Sequence, residues 1–302
     1  MTATAQLLTL SDGRVLDVRL DGASDPQADV LLYHHGTPSS GRVSGDVVRS
    51  AGLRGLRVLS WSRPGYASST RHHGRSVADV ASDTREVFDQ LGIERAFTMG
   101  WSGGGPHALA CGALLPDRIM GVASLAGVAP YQESLETLNW MAGMGQDNID
   151  EFGATLAGES VLAPALAAAR EGLVGVTAQG IVAEMESLLP EVDRDYLGSG
   201  FGDDLATSFR EAVASSADGW VDDDLAFVRP WGCDLSTIRV PVSIWQGSED
   251  LMVPFSHGQW LSSAMPFARA HLRQGDGHLS VVVGCIQEII DDLLAHPAGS
   301  LS

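Results

Sequence analysis

The segment from Ala96 to Leu115 constrains the fold of this chain more than any other. It reads AFTMGWSGGGPHALACGALL: a short apolar run of strand type, a serine flanked by glycines, and a stretch rich in Ala and Leu. This order predicts a strand, a tight turn at Ser102 and a helix. Glycines two positions to either side, Gly100 and Gly104, let the strand and helix approach without Cβ clashes. The turn presents the serine hydroxyl at a helix N-terminus, where free amides favour negative charge.

The charge of the chain excludes several classes of function. Its 302 residues carry a formal net charge of −19 at pH 7. DNA, RNA and anionic membranes are therefore not expected as partners, because binding to them relies on neutralising phosphate charge. All 19 basic residues are arginine, which excludes Schiff-base, pyridoxal-phosphate and P-loop chemistry, since each needs a lysine amine. No segment approaches a run of about 18 apolar residues, the length that spans a bilayer.

The three cysteines, Cys111, Cys233 and Cys285, lie far apart and show neither CxxC nor Cys/His ligand spacing. Because an odd number cannot all pair internally, buried and reduced thiols are the expected state. The N-terminal sequence MTATAQLLTLSDGR has no basic leader and only a short apolar run, unlike a secretory signal. We therefore expect a cytoplasmic protein that acts on a small molecule, and the sequence leaves a homodimer open.

Strand and helix patterns alternate along most of the chain. A hairpin signal at Asp12-Gly13 opens it. Buried-strand patterns and helical patterns then follow one another up to residue 128 and again from residue 240. The predicted strands after the hairpin are 29–33, 56–61, 96–99, 119–128, 240–246 and 269–272, and the predicted helices are 41–51, 77–91, 106–115, 256–264 and 279–294. This alternation predicts an α/β fold with a mostly parallel, doubly wound sheet of about eight strands.

Between residues 131 and 232 the alternation stops. This part contains helical patterns at 135–144, 159–173, 179–189 and 203–213, and no run typical of a buried strand. We expect an α-helical insertion over the carboxyl ends of the strands, where the functional loops of such sheets gather. The predicted organisation is a core of residues 1–130 and 233–302 with a cap of residues 131–232.

Three residues in loops after predicted strands have the chemistry of a catalytic triad. A serine hydroxyl is a poor nucleophile unless an imidazole accepts its proton and a carboxylate orients that imidazole. Asp250 lies in the loop GSEDLMVP and His278 lies in the loop QGDGH, so that Ser102, Asp250 and His278 follow the order nucleophile, acid, histidine. Other residues remain open for these roles: Glu249, Asp276 or Glu133 as the acid, and His271 as the histidine.

These motifs resemble those of the α/β-hydrolase fold superfamily, in particular of its capped members. The resemblance covers the chain outside the expected cap, and it rests on HGTP at 35–38, GWSGG at 100–104, GSEDLMVP at 247–254 and GDGH at 275–278. The chain is similar to the group that holds esterases, cofactor-free haloperoxidase-like perhydrolases, carbon–carbon bond hydrolases and proline iminopeptidases.

The resemblance implies a role for each matched position. Ser102 is the expected nucleophile, His278 the base and Asp250 the residue that orients the base. The backbone amides of Thr37 and Gly103 form the expected oxyanion hole. No metal and no organic cofactor is implied. A serine rather than an aspartate at position 102 disfavours the related dehalogenase and epoxide hydrolase chemistries.

The expected reaction is hydrolysis of a small, largely neutral carboxylic ester through an acyl-enzyme. Two alternatives remain. An aminopeptidase of the proline iminopeptidase type would turn cap carboxylates toward the serine, with Glu184, Glu186 and the triplet Asp222–Asp224 as candidates. A non-catalytic homologue would bind a ligand without turnover. The acidic triplet is otherwise expected to form a solvated face or a helix N-terminus. Three aromatic residues are expected to fix the cap to the core, with lining of a pocket as the alternative: Trp220, Phe227 and Trp231.

Overall fold

A β-hairpin opens the part of the chain that the computed structural model describes, residues 5–295. Strand β1 (Gln6–Thr9) pairs antiparallel with β2 (Val15–Gly22). The turn between them contains Gly13 at a φ of 87°, a left-handed conformation that glycine adopts without side-chain strain. The hairpin predicted from Asp12-Gly13 is confirmed.

The other strands join this hairpin in one sheet. They are β3 (Val30–His34), β4 (Arg57–Trp61), β5 (Ala96–Trp101), β6 (Ile119–Leu125), β7 (Val242–Gly247) and β8 (Arg269–Arg273). Within residues 5–295 the sheet has eight strands in the order β1-β2-β4-β3-β5-β6-β7-β8. Strand β2 pairs antiparallel with β4, and every pair from β4 to β8 is parallel. The predicted α/β fold with a mostly parallel sheet is confirmed.

The helices lie between and after the parallel strands. In chain order they are α1 (Gly45–Gly52), α2 (Val80–Leu91), α3 (Gly104–Leu114), α4 (Tyr131–Ser134), α5 (Gln146–Ala157), α6 (Glu159–Leu173), α7 (Ala178–Glu184), α8 (Glu191–Leu197), α9 (Gly200–Ala212), α10 (Asp218–Val228), α11 (Phe255–Ala264), α12 (Ser280–Val283) and α13 (Ile286–Ala295). Single 3₁₀ turns occur at Val77–Asp79, Glu186–Leu188 and Leu235–Thr237. Within residues 5–295, no helix combines the length and the apolar character that crossing a membrane requires.

Helices cover both faces of the sheet, because the side chains of each central strand alternate between two apolar layers. In β3, Leu31 and Tyr33 pack in the layer that contains α1 and α13, whereas Val30 and Leu32 pack in the layer that contains α2, α3 and α11. A strand buried on both faces reads as a continuous apolar run, as this one does. The predicted double winding is confirmed.

Helices α4 to α10 follow β6 and precede β7, in the part of the chain for which we expect a helical insertion. The prediction of a helix at 135–144 is wrong: the segment forms turns, with Gly143 at a φ of 94° and Trp140 buried. Helix α5 is not predicted from the sequence, because its buried side chains are only Phe152 and Thr155 and its apolar stripe is short. The predicted last helix is interrupted at Gly284 and divides into α12 and α13.

Candidate active site

Ser102 occupies the turn between β5 and α3. Its φ of 55° lies in the left-handed region, which a serine adopts only where its surroundings hold it. The Ser102 amide donates a hydrogen bond of 2.8 Å to the Leu125 carbonyl of β6, and the Gly105 amide donates one of 2.9 Å to the Ser102 carbonyl. The strand, turn and helix expected around this serine are therefore present, with its hydroxyl at the N-terminal end of α3.

The glycines on either side of Ser102 stand where backbone segments touch. A Cβ atom at Gly100 would overlap the carbonyl group of Gly104, and a Cβ atom at Gly104 would overlap the carbonyl group of His34. Any larger residue would push α3 away from β5 and β3. The close approach of strand and helix expected from Gly100 and Gly104 agrees with this geometry.

His278 and Asp250 form a buried pair. His278 Nδ1 lies 2.8 Å from Asp250 Oδ2, and the exposed side-chain fractions are 1% and 0%. The other carboxylate oxygen accepts hydrogen bonds from the amides of Met252 (2.9 Å) and Val253 (2.8 Å), and Gln246 Nε2 donates to Oδ2 (2.9 Å). Four donors thus hold the carboxylate, and it in turn orients the imidazole.

The surroundings of His278 favour its protonated form. Burial disfavours the imidazolium, but the charge of Asp250 and its hydrogen bond, together with the charge of Asp193, raise the pKa of His278 above its ordinary value. The His278 amide also donates a 2.7 Å hydrogen bond to the Asp193 carboxylate of α8. A histidine of this kind is suited to accept and return a proton near neutral pH.

Ser102 lies where two cavities meet. The larger has a volume of about 370 Å³ and is lined by Thr37, Ser102 and Gly103 together with residues of α5, α6, α7, α9 and α10. The smaller is lined by Ser102, His278 and Trp101 among others. The described hydrogen bonds of the His278 side chain and amide run to Asp250 and Asp193, and none runs to the Ser102 hydroxyl. Serine and imidazole therefore share a cavity wall without being bonded to each other.

Thr37 and Gly103 lie side by side next to Ser102. A Cβ atom at Gly103 would overlap the Thr37 hydroxyl, and both residues line the larger cavity with the serine. Within residues 5–295, neither of their backbone amides donates a hydrogen bond to another backbone group. Two such amides beside a nucleophile are suited to bind a developing oxyanion.

A comparison with known proteins shows the family of this chain. The family model described as the α/β-hydrolase fold matches residues 29–284. The chain belongs to the α/β-hydrolase fold family. The resemblance drawn from the four sequence motifs is confirmed.

Relatives of this α/β-hydrolase have diverse names. A protein of Caulobacter sp. (strain K31), provisionally named carbamate hydrolase RutD, is 25% identical over 266 residues, which cover 82% of this chain and 88% of that protein. A non-heme chloroperoxidase of Streptomyces lividans is 24% identical over 298 residues, which cover 95% and 98%. The solved structure of the enol-lactonase from Burkholderia xenovorans LB400 has a TM-score of 0.64 at 18% identity and covers 96% of this chain and 100% of that one. At that identity the likeness shows the fold alone.

The alternative acids of this α/β-hydrolase line neither cavity at Ser102. Glu249 is exposed, and Asp276 forms an ion pair of 3.1 Å with Arg273. Glu133 is exposed and lines a separate cavity. Only Asp250 among the four candidate carboxylates contacts His278.

Two other histidines near the strand ends, His271 and His35, have structural contacts. The ring of His271 stacks on Trp245, with 3.8 Å between ring centroids. His35 donates from Nδ1 to the Gly36 carbonyl (2.7 Å) and accepts at Nε2 from the Arg63 amide (3.0 Å). Burial lowers the pKa of His35 well below its ordinary value, so the ring is a neutral part of its loop.

A buried polar cluster joins α10 to the loop that carries Thr37. Asp223 accepts hydrogen bonds from Arg63 (2.6 Å), from the Tyr66 hydroxyl (2.9 Å) and from the Thr37 hydroxyl (2.6 Å), and it forms an ion pair of 2.7 Å with Arg75. Burial opposes ionisation of Asp223, but the two guanidinium groups outweigh it and hold the pKa of Asp223 well below its ordinary value. We call these five residues the Asp223 network.

The acidic triplet of α10 is buried, which corrects the expectation of a solvated face. Asp222 forms an ion pair of 2.9 Å with Arg71, and Asp223 belongs to the Asp223 network. Asp224 lines the larger cavity and is 1% exposed. The arginines come from loops distant in sequence, so the acidic run alone does not reveal them.

The three aromatic residues of this segment differ in position. Trp220 and Phe227 line the larger cavity, whereas Trp231 is buried in the apolar layer that contains α2, α3 and α11.

Three residues that position the site were not predicted from the sequence: Arg63, Asp193 and Gln246. A single aspartate between two predicted helices and a glutamine at a strand end belong to no motif. Arg63 does have an available signal, because it lies two residues after the end of the buried strand β4, where functional loops of parallel sheets lie.

Proposed function

We propose that this α/β-hydrolase is a serine hydrolase that cleaves a small carboxylic ester through an acyl-enzyme intermediate. One observation carries the proposal: Ser102, held in a left-handed turn, shares a cavity with His278, whose Nδ1 lies 2.8 Å from Asp250. With Nδ1 bonded to the carboxylate, Nε2 is the ring nitrogen that can take the serine proton.

The proposed reaction has two halves. Ser102 Oγ attacks the ester carbonyl carbon while His278 takes the hydroxyl proton, and the amides of Thr37 and Gly103 bind the oxyanion. Cleavage of the carbon–oxygen bond releases the alcohol, which receives the proton from His278. Water then attacks the acyl-enzyme with His278 as the base, and the acid leaves Ser102 with its hydroxyl restored.

We also propose the division of the chain into a core, residues 1–130 and 233–302, and a helical cap, residues 131–232. Residues 1–4 and 296–302 of these ranges lie outside the described residues. The proposal is supported by the larger cavity, since helices between β6 and β7 line it together with Ser102. The cap would then supply most of the contacts that select the substrate.

A second candidate function is an aminopeptidase that acts on N-terminal residues. Two of the carboxylates that the sequence singled out, Glu184 and Asp224, line the cavity that contains Ser102. Cleavage of N-terminal proline amides with little hydrolysis of simple esters would favour this candidate over the first.

The proposal is tested with short-chain p-nitrophenyl esters and an organophosphate. We expect hydrolysis of the esters, covalent labelling of Ser102, and loss of both in Ser102→Ala, with Ser263→Ala, an exposed serine, as the control. Activity of Ser102→Ala within about tenfold of the unmodified protein would contradict the assignment of the nucleophile. Labelling without any turnover would favour a non-catalytic homologue that binds a ligand.

A further inference from the structure

One carboxylate in the larger cavity, that of Asp224, differs from the exposed acidic side chains that line it. Asp147 accepts a hydrogen bond from Ser187 (2.6 Å) and Asp150 accepts one from Gln146 (2.8 Å), and both residues are exposed. Asp224 is 1% exposed, and both of its carboxylate oxygens are buried without a hydrogen-bond donor among the described residues. Buried carboxylates are normally paired or hydrogen-bonded, so this group needs an explanation.

The position of Asp224 on α10 turns it into the cavity. Trp220, Asp224 and Phe227 are spaced by four and three residues, which places them on one face of the helix, and all three line the cavity with Ser102. The two acids before Asp224 form ion pairs with arginines, whereas in residues 5–295 no arginine is hydrogen-bonded to Asp224 itself. Arg75 acts on it only through space, since its ion pair is with Asp223.

Asp224 interacts with a second carboxyl group, that of Glu151 on α5, which also lines the cavity. Glu151 accepts one hydrogen bond from the Trp220 indole nitrogen (2.9 Å). Burial and mutual repulsion raise the pKa of Asp224 well above its ordinary value, and burial raises the pKa of Glu151. Asp224 is buried and Glu151 is half-buried. Two carboxyl groups this close form a hydrogen bond only if one of them holds a proton, and a cation between them would relieve the repulsion.

We propose that Glu151 and Asp224 form a subsite for an ammonium group of the substrate, which places an amine-bearing ester within the scope of this hydrolase. An ammonium group has three donors, and the two carboxyl groups offer acceptors on one side of a 370 Å³ cavity. Trp220 and Phe227 flank Asp224 with aromatic surface suited to the alkyl arm and to the charge. Within residues 5–295 no group of three or more ligand side chains could hold a metal ion, which favours an organic cation over a metal.

This inference rests on the proposed function, because the subsite opens into the cavity of Ser102. It is tested with a homologous series of linear ω-amino acid ethyl esters, each compared with the alkanoate ester in which a methyl group replaces the ammonium group. The members of the series differ in the number of methylene groups between the carbonyl carbon and the ammonium group, so that one of them can span the distance from Ser102 to the subsite. We expect at least one amino ester to exceed its neutral partner in kcat/KM by about tenfold or more, as a charge-assisted hydrogen bond provides.

Substitutions show which side chains cause the preference for the amino ester. Asp224→Asn and Glu151→Gln keep the size of each side chain and should each lower the ratio of kcat/KM between amino ester and neutral ester toward one. Asp150→Asn removes a charge from the same cavity but at an exposed, hydrogen-bonded position, and should keep the ratio. Equal or better hydrolysis of the neutral esters throughout the series would overturn the inference, as would a ratio that neither Asp224→Asn nor Glu151→Gln changes.

A binding measurement separates failure of the subsite from failure of the proposed function. Calorimetric titration with n-hexylammonium chloride should show saturable binding that n-hexanol does not share and that Asp224→Asn abolishes. If no ester is hydrolysed and Ser102 is not labelled, the serine hydrolase proposal fails, and this titration still decides on the subsite. Labelling of Ser102 and hydrolysis of neutral esters without binding of the ammonium ion would overturn the subsite alone.

Discussion

The backbone amide of His278 donates a hydrogen bond of 2.7 Å to the side chain of Asp193, a residue from the helical segment between β6 and β7. The same carboxylate accepts hydrogen bonds of 2.8 Å from the amide and the hydroxyl of Ser280. Asp193 is 0% exposed, and these three hydrogen bonds all run to the segment that carries His278. This helical segment therefore holds the histidine in place as well as lining the cavity.

Replacement of Asp193 should loosen the His278 loop. In Asp193→Asn the new side-chain NH₂ group would face an N–H or O–H donor of His278 or Ser280 in place of an acceptor. We therefore expect a loss of about 1–3 kcal/mol in the free energy of unfolding. We also expect kcat to fall and the acid limb of the pH profile to move to lower pH, because Asp193 contributes to the raised pKa of His278. Asp195→Asn, on the exposed side of α8, is the matched control. Loss of stability with an unchanged acid limb would contradict the positioning role.

Asp250 and Glu249 are adjacent in sequence but should differ sharply in effect. Asp250→Asn places an amide against His278 Nδ1 and favours the wrong imidazole tautomer, so we expect kcat to fall by about 10⁴-fold. Glu249→Gln alters an exposed side chain and should change kcat less than about twofold. Steady-state kinetics on one neutral ester gives both values. The reverse ranking would assign the acid role to Glu249.

The pH dependence of hydrolysis should report the raised pKa of His278. The base must be neutral to accept the serine proton, so kcat/KM for a neutral ester should fall as the pH drops through that pKa. Because Asp250 and Asp193 raise the pKa of His278, the midpoint of this fall should lie above 6.5. In Asp250→Asn the residual activity should show a lower midpoint. A midpoint below 6.5 in the unmodified protein would mean that burial outweighs the two carboxylates.

Asp224 should make stability fall as the pH rises. The pKa of Asp224 is raised above 3.8 in the folded protein, so the folded state retains a proton that the unfolded state has lost. The contribution of this proton to the free energy of unfolding is complete below the pKa that Asp224 has in the unfolded state. It is lost as the pH rises from there through the pKa of Asp224 in the folded state. Asp224→Asn removes this decrease, and urea unfolding should show it gaining stability relative to the unmodified protein between pH 4 and pH 8. A difference that is the same at both pH values would contradict the raised pKa.

The elements that could be predicted from the sequence have local signals. The run at Val30–His34 is apolar throughout because both faces of β3 are covered, and Ser102, Asp250 and His278 each stand in a short motif at a strand end. The contacts that could not be predicted join distant segments. Arg63 and Asp223 are separated by 160 positions, and nothing in either neighbourhood indicates the other. For the same reason Asp222–Asp224 reads as a solvated run, although each acid is buried.

The Asp223 network also limits how the sequence of this protein can drift. Asp223 is the counter-charge for two arginines that are themselves buried, Arg63 and Arg75. Loss of the acid alone would leave two buried guanidinium groups without a counter-charge. Loss of Arg63 alone would remove the hydrogen bonds that it donates to Gly36 and Thr37. Substitutions at these positions are therefore tolerated in concert rather than singly, so that positions 63, 75 and 223 are expected to change together along any lineage.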